Sequence, residues 1–101
     1  MYFEIIEAEY LGGYRIRMRF EDNSTGIADL SGYAAKGGVF KEFEDIGYFK
    51  KFMLENGTLT WGDGQLDIAP EALYEKSTGK PIKYSRSRLA VWLSARRLAG
   101  N

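Results

Sequence analysis

The chain has 101 residues, 45% hydrophobic and 15% aromatic, with no cysteine and no histidine. That is one domain's worth of sequence, able to bury a core, and it excludes a disulfide framework, a thiolate metal site and histidine-based catalysis. The zero net charge conceals a division: residues 1–75 hold all 14 acidic side chains against 7 basic ones, while residues 76–101 hold 7 basic and no acidic ones.

Residues 2–11 (YFEIIEAEYL) alternate only in part. Phe3 and Ile5 fall on one side with Glu4 opposite, then Ile6 and Glu7 run out of phase, which predicts a strand with a bulge. Gly12-Gly13 marks a hairpin turn. Residues 14–20 alternate cleanly, with Tyr14, Ile16, Met18 and Phe20 directed to the core and Arg15, Arg17 and Arg19 outward. Glu21 to Ser24 forms the next turn, and 25–30 returns as a third strand with Ile27 expected inward. The arginine stripe is expected to pair with Glu4, Glu7 and Glu9 on the neighbouring strand rather than to bind phosphate.

Ser31 to Gly38 reads as a loop with one helical turn. Phe40, Phe43, Ile46, Phe49 and Phe52 recur every third residue, which predicts core-facing helical turns around 39–44, an interruption near Gly47 and a second turn or a strand from Tyr48. Asn56-Gly57 between alternating runs predicts a second hairpin that ends on Trp61. A Gly62-Asp63-Gly64 turn, a short buried run and a helical turn started by Pro70 follow, with Leu73 and Tyr74 expected to fold back onto Trp61. Ser77 to Pro81 reads as a turn or linker. From Ser85 to Ala99 the spacing of Leu89, Trp92 and Leu93, with Val91, Ala95 and Leu98 beside them, predicts an amphipathic helix carrying Arg86, Arg88, Arg96 and Arg97. The fold class expected is α+β: a small antiparallel sheet of two hairpins, short helices and a C-terminal helix, divided as 1–76 and 77–101.

No phosphate-binding loop is present. Asp63, Asp67 and Glu71 could bring oxygen ligands to a divalent cation, but their spacing lacks the order of a calcium loop. Turn formation by Asp63 and local backbone bonding by Asp67 are the expected roles. No enzyme, cofactor or metal is expected. No run approaches a membrane span and no signal-peptide pattern opens the chain, so a cytoplasmic protein is expected.

The stretch WGDGQLDIAPEALYE, with Trp61, Asp67, Pro70, Leu73 and Tyr74, resembles the signature of domain-of-unknown-function family 2442, small prokaryotic proteins. The resemblance covers roughly residues 3 to 75. It implies a small α+β domain and a genetic setting, for several members, beside another small protein in a toxin–antitoxin-like arrangement. Some members carry a helix-turn-helix after this module; the 25 or so residues after the motif here suffice for one helix. The expected function is therefore a non-enzymatic protein-interaction module, antitoxin-like, that engages a protein partner or a second copy through a sheet edge or through Leu89, Trp92, Leu93 and the flanking arginines. The alternative is a nucleic-acid-binding accessory protein using the basic C-terminal segment.

Overall fold

The computed structural model describes residues 3–80 and the backbone of residues 95–97. Two antiparallel sheets share one core, as the α+β expectation requires. The first has the order β1-β2-β3: β1 (Ile5–Gly12), β2 (Arg15–Phe20) and β3 (Thr25–Asp29). Its β1–β2 register shifts between Ile5 and Glu7, where the sequence slips out of alternation, and again between Tyr10 and Gly12. The extra residue, Ile6, is turned outward and exposed. Ile5, Ile16, Met18 and Phe20 are buried on the inner face.

Ile27 is the exception to the sequence reading. It was expected inward, yet it is 46% exposed, and Ala28 and Leu30 are buried instead. The turn after Phe20 sets the register so that Ile27 is the partner of Arg17 and Ala28 the partner of Ile16. Directly opposed residues share a face, so Ile27 joins the arginine side. Gly26 takes the inner position because a helix crosses it closely, as described below.

Ser31–Lys36 forms α1, and Gly38–Glu44 is a 3-10 helix followed by α2 (Ile46–Phe49). The repeat of three suits a 3-10 helix, in which side chains at i and i+3 stand above one another. It delivers Phe40 and Phe43 to the core, with their rings 5.3 Å apart. Asp45 caps α2 by accepting a hydrogen bond from the Gly47 amide.

The second sheet has the order β4-β5-β6-β7: β4 (Met53–Glu55), β5 (Thr58–Trp61), β6 (Leu66–Ile68) and β7 (Ala95–Arg97). Asn56 and Gly57 both have positive φ, as the tight hairpin turn demands. Helix α3 (Pro70–Thr78) begins with proline at its first turn and ends at Gly79, whose left-handed conformation lets its amide reach the Glu75 carbonyl. Ser77 and Thr78 thus complete a helix where a linker was expected. The amphipathic helix expected over 85–99 lies outside the described residues, except at 95–97. There the backbone is extended and pairs antiparallel with β6. The edge of β6 offers N–H and C=O groups to that segment, and such pairing overrides a helical side-chain pattern.

Candidate interaction surface

The motif around Trp61 is built to hold the core. Trp61 is 1% exposed, and its indole N–H donates to the Phe49 carbonyl oxygen at 2.7 Å. Its ring lies 4.6 Å from that of Phe43 and 5.8 Å from that of Phe49. Leu73 is buried on α3. Tyr74 makes its ring contacts with Phe3 at 4.6 Å and Phe20 at 5.0 Å, not with Trp61 as expected. Its hydroxyl donates to Asp22 Oδ2 at 3.0 Å and thereby ties α3 to the turn before β3. Trp61, Pro70, Leu73 and Tyr74 therefore serve architecture.

The remaining sequence-predicted residues divide in two. Arg86, Arg88, Leu89, Trp92 and Leu93 lie outside the described residues. Arg96 and Arg97 are placed on β7, opposite Asp67 and Leu66 in the ladder. Asp67 is 3% exposed and sits within β6, the buried run that leads to Pro70. It shares a stripe with Thr58 and Thr60, both also buried. Thr58 donates its hydroxyl to the Ile68 carbonyl, and Thr60 donates to Glu55 Oε1 at 3.1 Å. No sequence feature singled out Thr58 and Thr60, so this buried polar stripe was missed in the sequence. Asp63 stands in a left-handed turn, φ 57°. No cluster of three His, Cys, Asp or Glu side chains that could hold a cation occurs among the described residues, so Asp63, Asp67 and Glu71 do not converge.

The outer face of the first sheet carries the charge. Arg17 pairs with Glu9, and Arg19 with Glu7 at 3.0 Å, the cross-strand pairing expected of the stripe. The Arg19 hydrogen bond holds the Glu7 carboxyl below its ordinary range. A shallow groove of about 370 Å³ runs between these pairs, lined by Ala8, Met18 and Thr25 as well. Exposed pairs of this kind add little stability but fix a pattern of charge.

Asp22 and Asp29 are two further carboxylates with lowered pKa. For Asp22 the chief cause is the Ser24 amide, which donates to it at 2.8 Å, supported by the Tyr74 hydroxyl. For Asp29 it is the Ser31 amide at 2.9 Å. A folded-state pKa below the unfolded one stabilises the fold above the unfolded value, and that contribution is lost as pH falls through the folded value. Unfolding free energy should therefore decline as pH drops below the ordinary Asp value of 3.8. Urea titrations across that window check it, and Asp22→Asn should make the profile flatter; an unaltered slope contradicts the assignment.

What stands out chemically is apolar surface at the margins of both sheets. Ile27 on β3, Met53 (48% exposed) on β4 and Leu54 (39% exposed) beside it all face solvent. Among the described residues no helix is long and apolar enough to cross a membrane. The fold and surface together define a small α+β domain with two hairpin sheets and a structural tryptophan–tyrosine motif. The chain belongs to the DUF2442 family, proteins of unknown function, whose family model matches residues 5–79. No curated protein and no solved structure matches it.

Proposed function

We propose that this chain is a non-enzymatic protein-interaction module, antitoxin-like in role, that binds a protein partner through its sheet margins. The observation that supports this reading is the exposure of Ile27, Met53 and Leu54 on strands at the edges of the two sheets. Sheet edges and exposed apolar side chains are where β-proteins take up other chains. Co-expression with the protein encoded by the neighbouring gene tests it. A stoichiometric complex in size-exclusion chromatography, lost on joint Met53→Lys and Leu54→Lys substitution, is expected, with relief of any growth arrest the neighbour causes. Both side chains are exposed, so the variant keeps its fold. Absence of a complex with correctly folded protein overturns the proposal.

The basic balance of residues 76–101 favours a second reading, nucleic-acid binding. It requires DNA or RNA affinity that falls steeply with salt and disappears when Arg86, Arg88, Arg96 and Arg97 are reversed in charge.

A further inference from the structure

Among the described residues, β3 presents the longest uninterrupted strand edge at a sheet margin. Its hydrogen bonding to β2 is fixed at both ends: the Phe20 amide donates to the Ser24 carbonyl at 2.8 Å, and the Leu30 amide donates to the Tyr14 carbonyl at 2.8 Å. Both pairs share the register of the ladder between them. In an antiparallel ladder hydrogen-bonded pairs alternate with unbonded ones, so Gly26 and Ala28 also point their backbone groups at β2. Thr25, Ile27 and Asp29 point theirs away, and among the described residues no strand pairs with that side.

Proteins usually blunt such edges with bulges, prolines, lysines or brevity. The β1 edge has two register shifts, and β4 and β7 are three residues long. By contrast β3 has five residues in unbroken register, no proline or lysine, and an exposed isoleucine at its middle.

We propose that β3 pairs antiparallel with β3 of a second copy about a two-fold axis through Ile27, joining the two three-stranded sheets into one. This rests on the interaction-module reading and names one partner, the chain itself. The outward-pointing residues are symmetric about Ile27. A two-fold there sets Ile27 against Ile27, and Thr25 against Asp29 of the other copy, with every free N–H facing a free C=O.

The charges on the outer face agree with this register. Across the strands the row Glu7, Arg19, Thr25 would continue into the second copy as Asp29, Arg15. The central row runs Glu9, Arg17, Ile27 and returns through Ile27, Arg17, Glu9. No like charges meet at the new junction, and the exposed isoleucines cover each other. The occupant is thus self-complementary in backbone, charge and apolar surface.

The experiment is sedimentation equilibrium of the full chain over a range of concentration, beside three variants at exposed positions. The wild type should dimerise reversibly. Ile27→Lys, which opposes two ammonium groups on the axis, should be a folded monomer. Thr25→Lys places a cation opposite Asp29 twice per dimer and should tighten Kd by roughly 2- to 30-fold, whereas Thr25→Asp should weaken it by a similar factor. Amide exchange at Thr25, Ile27 and Asp29 should be slow in the dimer and fast in Ile27→Lys. A wild-type monomer overturns the proposal, whether those amides are protected by another segment or open. So does a dimer that Ile27→Lys leaves intact, or one that the two Thr25 variants shift alike. A monomer that still forms the complex with the neighbouring gene product removes the dimer and leaves the interaction-module reading standing.

Discussion

Trp61→Ala should cost about 3–5 kcal/mol of folding free energy, the usual range for emptying a buried aromatic site. A small domain has about 5–15 kcal/mol in total, so the variant would be barely folded or lose a large part of its urea midpoint. The magnitude follows from position. Trp61 lies where β5 meets the 3-10 helix and α2, in contact with Phe43, Phe49 and Phe52. It also supplies the hydrogen bond to the Phe49 carbonyl, which is buried with it. Trp61→Phe separates the two contributions. It keeps most of the ring and leaves that carbonyl without its donor, at about 1–3 kcal/mol. Equilibrium unfolding followed by circular dichroism measures both. If Trp61→Ala loses less than Trp61→Phe is expected to lose, the residue is not the keystone its packing indicates.

That keystone was legible because its signals are local. Alternation fixed β2, Asn56-Gly57 fixed the second hairpin, and a slip of phase at Ile6 marked the bulge. The repeat of three from Phe40 onward likewise marked tight helical turns. What failed depended on distant partners. Nothing within TGIADL tells Ile27 from Ala28 as the inward residue. The register with β2 decides it, together with a helix fifty residues further on that leaves no room for a side chain at position 26. Nothing in the sequence marks Thr58 and Thr60 as buried, because both faces of β5 and β6 are covered by segments distant in the chain. Residues 95–97 have a helical pattern but pair as a strand, since an available sheet edge outweighs the few tenths of a kcal/mol by which propensities differ. The outer face of β3 was misread for the same reason. Ile27 looks like core by composition and faces outward only by register with β2.

Gly26→Ala should also destabilise strongly, against the ordinary trend. Replacing a strand glycine usually helps by about 0.4–1 kcal/mol, because the unfolded chain loses freedom. Here a β-carbon at position 26 would sit 2.1 Å from the Ser77 carbonyl oxygen and 2.6 Å from its carbon. Those are main-chain atoms of α3, so no rotamer change relieves the overlap. The last turn of α3 is held in place by the Ser77 hydroxyl, which donates to the Leu73 carbonyl at 2.7 Å, and by the buried Leu73 beneath it. Lifting α3 would uncover Leu73 and Ala28 together. Overpacking of this kind costs about 1–3 kcal/mol, and more when backbone must move, so the net effect is a loss. Gly26→Val should be worse than Gly26→Ala. Ser77→Gly in the same chain should restore nothing, because it leaves the carbonyl where it was. Urea unfolding of the three variants provides the measurement, with amide exchange in α3 to show whether the helix has lifted. A neutral or stabilising Gly26→Ala means that α3 does not cross β3 this closely. If it does cross so closely, the helix covers the inner face of β3 while the outward hydrogen-bonding groups of Thr25, Ile27 and Asp29 stay presented at the edge.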